Sequence, residues 1–103
     1  MHYSKHYSKL DDKIHTTIRR RKKGKEIGYI VPEYVDGKFI SYVEVLMIWR
    51  YILSQIPIPL LLKDTDCETP QEAIELIQSF YLKPIEETEK LYIFKLRKVE
   101  VIK

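Results

Sequence analysis

Ile14-His15-Thr16-Thr17-Ile18-Arg19, followed at once by Arg20-Arg21-Lys22-Lys23-Gly24-Lys25, is the stretch on which the fold turns. Ile14, Thr16 and Ile18 alternate with His15, Thr17 and Arg19, and β-branched residues at period two read as a strand. The cations after it, broken only by Gly24, cannot continue a half-buried strand and read as a loop. Beyond the loop, Ile27, Tyr29 and Val31 alternate again, which predicts a second strand over about 26–34 with Pro32 at a bulge or edge. Asp36-Gly37 then supplies the positive φ that a tight hairpin turn requires. The third strand, about 39–51, is apolar on both sides and is therefore expected in the middle of the sheet.

Working outward, Tyr3, Tyr7 and Leu10 are spaced to line one side of a short N-terminal helix within the tandem His2-Tyr3-Ser4-Lys5, His6-Tyr7-Ser8-Lys9. Ile56-Pro57-Ile58-Pro59 ends the third strand, and Leu60 to Lys63 is expected to make a helical turn. Thr69-Pro70-Gln71-Glu72 is a capping box with proline at the first helical position. Ala73, Ile74, Ile77, Phe80 and Tyr81 form the apolar stripe of the helix it starts, expected to end near Leu82. A last strand spans about 91–102. Strands and helices without a βαβ rhythm predict an α+β or mainly-β fold on a mixed or antiparallel sheet.

The chain of 103 residues is expected to form a single domain, residues 1–103. A chain of this length buries roughly two-thirds of its unfolded surface, enough for one core without disulfides or metal. Cys67 is the one cysteine and cannot pair within the chain, which fits a reducing, cytoplasmic setting. No apolar run is long enough to span a membrane, and the basic N-terminus is not followed by the apolar core of a signal peptide, so no membrane partner is expected. His2 and His6 are four apart but lack a nearby third ligand, so no metal is expected. The three glycines form no phosphate loop, and no cofactor is expected. The chain contains no Asn, one of the residues depleted in proteins from hot sources, which points to a thermophile.

The charge is unevenly laid out. The net value is only +3, yet residues 1–25 carry nine Lys or Arg against Asp11 and Asp12, and the remainder carries nine against 13 acids. Arg19, Arg20, Arg21, Lys22, Lys23 and Lys25 form a basic stripe of the kind that meets a phosphate backbone. The plainer alternative is a solvated loop. Arginine's planar fork suits phosphate, and eight tyrosines offer stacking surfaces, so RNA or another single-stranded nucleic acid is the expected partner. No pattern sets an oligomeric state.

Three ordered features resemble the ASCH (activating signal cointegrator homology) domain, a branch of the PUA-like superfamily. They are Lys13-Ile14-His15-Thr16-Thr17-Ile18-Arg19; Gly24 with Ile27 and Tyr29-Ile30; and the run from Lys63 through Asp66 to Glu72, leading by way of Phe80-Tyr81 into Leu91-Tyr92-Ile93-Phe94. The resemblance implies a PUA-like mixed β-barrel of five to six strands with two short helices, a cleft beside the first strand, and RNA binding or RNA-linked chemistry. One branch of the family hydrolyses the acetyl amide of N-acetylcytidine with a Lys, a Thr three residues on and an acid before the second helix. The corresponding positions are Lys13, Thr16 and Asp66, with Thr17 as the alternative hydroxyl. Here the acid is Asp rather than Glu, and Lys25-Glu26 replaces the usual single Asp after the glycine.

A Thr hydroxyl needs a base to become a nucleophile, and a desolvated Lys can serve as one. In an extended strand Lys13 shares a side with Thr17 but opposes Thr16, so the Lys13–Thr16 pair requires a bulge or a later strand start. The plainer alternatives are ordinary strand threonines and a loop acid. Three functions therefore stand side by side: a nucleic-acid-binding domain, an amidohydrolase acting on a modified pyrimidine nucleoside, and a protein-interaction adaptor using the apolar segment Ile56 to Leu62.

Overall fold

Residues 1–100 are described by a computed structural model. The alternating segments form β2 (Ile14–Arg19), β3 (Ile30–Val35), β4 (Lys38–Ile52) and β5 (Lys90–Val99), preceded by a two-residue β1 (His2–Tyr3). With helices α1 (Ile58–Thr65) and α2 (Pro70–Ser79) they make an α+β fold. The mixed sheet has the order β1-β3-β4-β5-β2 and curls into a half-barrel. Only β1 and β3 run parallel; the other neighbours are antiparallel. Its two edge strands face each other across the open seam, where the Arg19 guanidinium of β2 donates to the His2 carbonyl of β1 over 2.9 Å.

The hairpin between β3 and β4 turns at Asp36 and Gly37, both with positive φ (49° and 77°), as the Asp-Gly pair demands. β4 is flanked by β3 and β5, so the strand that is apolar on both sides is central. A register shift between Val45 and Met47 accounts for its pattern. Before it, Val43 and Val45 bury into the barrel interior with Phe94, Leu96 and Leu10; after it, Trp49 and Tyr51 pack on the opposite side against Ile93, Leu61 and Ala73 of the helical cluster. One sheet thus serves two cores, with the N-terminal segment on one side and the helices on the other.

Four local expectations need correction. Tyr3, Tyr7 and Leu10 are all buried in the first cluster, but not on a helix. Hydrogen bonds from Tyr34 N to the Met1 carbonyl and from Asp36 N to the Tyr3 carbonyl draw that segment into the sheet edge, and only a 3-10 turn, Ser8–Asp11, follows. β3 starts at Ile30 because residues 26–29 close a turn, Tyr29 N to Glu26 O, with Gly28 at φ 91°. The expected turn at Leu60–Lys63 is a full helix that Asp66 ends in the left-handed region at φ 56°. α2 begins at its Thr69 cap, whose hydroxyl accepts from Glu72 N over 3.2 Å, but stops at Ser79 rather than near Leu82. There Gln78 Oε1 accepts from Ile85 N, and the Tyr81 hydroxyl accepts from Arg20 N, turning the chain back toward β2. The expected final residues of β5, 101 and 102, lie outside the described residues. Of the segment Ile56 to Leu62, Ile56 and Leu61 are buried and Leu60 and Leu62 pack against the second cluster, leaving Ile58 as its exposed large apolar side chain. No helix among the described residues is long and apolar enough to cross a membrane.

Candidate ligand cavity and basic cleft

Two adjoining hollows open at the barrel seam, and His2, Arg19, Phe80 and Tyr81 line both. β2 delivers Thr17 and Arg19 to the first, the N-terminal segment delivers Tyr3, Tyr7 and Lys9, and α1 delivers Asp64. Its volume is about 270 Å³.

A buried ion pair lines this cavity. Lys9 Nζ donates to Asp64 Oδ1 over 2.9 Å, with the side chains only 4% and 7% exposed. Thr16 Oγ1 donates to the other carboxylate oxygen over 2.8 Å. The Lys9 ammonium also lies over the Tyr3 and Tyr7 rings, 5.2 and 5.6 Å from their centroids. Burial holds the Lys9 amine below its ordinary value against the opposing pull of Asp64. Arg19 Nε donates to Thr17 Oγ1 over 3.0 Å and its guanidinium also lies over the Tyr3 ring, 5.1 Å from the centroid. The buried Tyr7 hydroxyl has no hydrogen-bond partner among the described residues.

Beneath Tyr3 lies a second buried set. Glu33 accepts from the Tyr3 hydroxyl over 2.7 Å and from Ser41 over 3.1 Å, and shares a 2.7 Å hydrogen bond with His15 Nε2. Burial by itself would raise the Glu33 carboxyl; the hydrogen bonds from His15, Tyr3 and Ser41 outweigh it and keep the pKa low. The Tyr3 phenol is pushed up by burial and by Glu33. These contacts fix the Tyr3 ring that floors the cavity.

The second hollow, about 540 Å³, is lined by Arg19, Arg20, Arg21, Lys23, Lys25 and Lys83 among others, with Phe80, Tyr81 and Leu82 beside them. Its cations differ in role. Arg20 makes a two-armed ion pair with Glu89, 2.6 and 2.8 Å, and donates to the Lys83 and Pro84 carbonyls, so it latches the 83–89 loop. Lys22 pairs with Glu26 and does not line the cleft. Arg21, Lys23 and Lys25 have no ion pair among the described residues. The Lys25 amine is lowered by partial burial and then by repulsion from Lys23 and Arg19. Crowded cations of one sign in a concave wall favour an anion.

The residues expected as a catalytic set do not meet. Thr17 lines the cavity and accepts from Arg19, whereas Thr16, on the other side of β2, does not line it and reaches Asp64 through its hydroxyl. Lys13 is exposed and lines neither hollow; its carbonyl accepts from Lys98 N over 2.8 Å. Asp66 is exposed, caps the end of α1 and binds Ser8 through its N–H, 2.7 Å, and its hydroxyl. The Lys and Asp that do meet beside a Thr hydroxyl are Lys9 and Asp64. Asp64 had a signal: it lies three residues after buried Leu61, on the inner side of α1 once the helix extends past Lys63. Lys9 had none, because its burial depends on α1 docking from 55 residues away.

His2 stacks on Tyr34 and His6 pairs with Asp11 at 2.8 Å; no group of three or more metal-ligating side chains occurs among the described residues. Compared with protein-family models, curated proteins and solved structures, the chain finds no match in any of the three.

Proposed function

We propose that the protein binds single-stranded nucleic acid, RNA foremost, with the phosphates in the cleft of Arg21, Lys23 and Lys25. Arg19 sits at the junction with the adjoining cavity, where an unstacked base can follow. One observation carries this reading: three cations without an ion-pair partner among the described residues line a concave wall beside Phe80 and Tyr81. Phosphate contacts supply affinity, and aromatic rings supply sequence-tolerant stacking. The ordered motifs that resemble an ASCH domain agree with it, and a cytoplasmic setting follows from an RNA partner and the free thiol of Cys67.

The test is fluorescence anisotropy of a labelled single strand across a salt series. Replacing Arg21, Lys23 and Lys25 by Ala should weaken binding by roughly one to two orders of magnitude at about 0.15 M salt and flatten the slope of log K against log salt by about 2. Arg20→Ala and Lys22→Ala should change the slope far less, since Glu89 and Glu26 already neutralise them. Unchanged binding in the triple variant would discard the cleft as the interface.

A second reading, hydrolysis of an amide on a modified pyrimidine nucleoside, is favoured by the buried Lys9–Asp64 pair, with Thr16 bonded to Asp64 and Thr17 lining the same cavity. In this reading Lys9 is the proton carrier, Asp64 orients it, and Thr16 or Thr17 supplies the hydroxyl. Acetate release from N-acetylcytidine should then vanish in Lys9→Ala, assayed where circular dichroism shows the variant folded, and persist in Lys13→Ala. No turnover by the parent protein discards the activity.

A further inference from the structure

The half-exposed aromatic rings of the β3–β4 hairpin are not scattered. The His2 ring stacks on Tyr34 at 4.7 Å and 9°, Tyr34 meets Phe39 at 6.1 Å, and Phe39 meets Tyr42 at 4.9 Å. The register explains the row: His2 is paired with Tyr34 across β1 and β3, and Tyr34 with Phe39 across β3 and β4. None of the four belongs to either buried cluster, and Phe39 and Tyr42 remain 51% and 37% exposed. Because Tyr3 points into the barrel and His2 away from it, the row lies on the outer side of the sheet.

Two further facts point to an occupant. His2 lines the basic cleft, so the row starts at its mouth. The row itself brings no net charge, since exposed Asp36 and Lys38 at the hairpin turn offset each other and Glu44 is paired with Arg97. A cation-lined groove that runs into an uncharged aromatic row fits a chain held by its phosphates at one place and stacked through flat bases at the next.

We propose that His2, Tyr34, Phe39 and Tyr42 form a stacking platform for unpaired bases of the strand whose phosphates occupy the cleft. This rests on the nucleic-acid reading above, but it assigns a different surface and a different kind of contact. It also implies that the site is longer than the cleft.

The experiment compares labelled oligouridine strands of about four and about twelve nucleotides, both within the range of site sizes seen for small single-strand binders. Phe39→Ala with Tyr42→Ala should weaken the long strand by about tenfold or more, leave the short strand within about twofold, and leave the salt slope of both unchanged. Both side chains are half-exposed, and a thermal melt confirms that the double variant is folded. If the parent binds both strands and the cleft variant loses them while the aromatic variant binds the long strand as the parent does, the platform is overturned and the cleft stands. Equal weakening of both strands also overturns it, because the rings would then act on the cleft. If the parent binds neither strand at low salt, both readings fall. A parent dimer that dissociates in the aromatic variant would assign the row to a second copy of the chain instead.

Discussion

Asp64→Ala should destabilise the protein by about 3–5 kcal/mol, because it leaves the Lys9 ammonium, whose side chain is only 4% exposed, without its counter-ion. The Thr16 hydroxyl loses its acceptor in the same step, which adds to the loss. For a domain of this size the melting temperature should fall by at least about 12 °C. Lys9→Met with Asp64→Leu removes both charges at similar volume and should recover most of that stability, giving a coupling energy on the order of 2 kcal/mol in the cycle of parent, Lys9→Met, Asp64→Leu and the double variant. Urea unfolding of the four proteins provides the measurement. If Asp64→Ala melts within about 2 °C of the parent, the Lys9 ammonium is solvated without Asp64 and the pair does not hold the fold.

Glu33→Gln is expected to lower stability at neutral pH by about 2–4 kcal/mol, since a fully buried carboxylate is replaced by an amide that cannot accept from Tyr3, His15 and Ser41 together. The effect carries a pH signature. The Glu33 carboxyl is lower in the folded than in the unfolded chain, so its ionised form favours the fold. That contribution is complete above the unfolded value of about 4.3 and is lost as pH falls below it, toward and through the folded value. Urea unfolding at neutral pH and near pH 3 should therefore show the gap between parent and variant shrinking on acidification. A gap of equal size at both values would mean that Glu33 is already protonated in the native protein.

The loss of either buried set should also disturb the ligand surface, because both hold the Tyr3 ring. Lys9 and Arg19 sit over that ring, and its hydroxyl is tied to Glu33. Binding measurements on these variants are informative only where the protein is folded. The cation and aromatic substitutions lie on exposed or half-exposed side chains and do not carry that complication.

Several parts of the protein follow from short-range pattern alone. The alternation from Ile14 to Arg19 places His15 and Thr17 inside the sheet and Thr16 opposite them. Asp36-Gly37 sets the hairpin, and Thr69-Pro70 with Glu72 starts α2, because turn and cap chemistry act over two to four residues. The apolar character of β4 on both sides announces a central strand, and a register shift at Val45 distributes it between two cores. The crowding of cations after Arg19 is equally visible without a structure.

Tertiary structure alone decided which charges are available. Arg20 looks like its neighbours in sequence, yet Glu89, 69 residues on, claims it. Lys9 and Asp64 are separated by 55 residues and become partners only because the N-terminal segment lines the barrel while α1 docks beside β2. Lys13 and Asp66, whose spacing to Thr16 and to α2 looked right, stay in solvent because Asp66 ends its helix and Lys13 precedes the strand. The physical reason is range. Periodicity and capping record which side of an element faces inward, whereas the partner of a buried charge is set by closure of the whole sheet, which no local pattern contains.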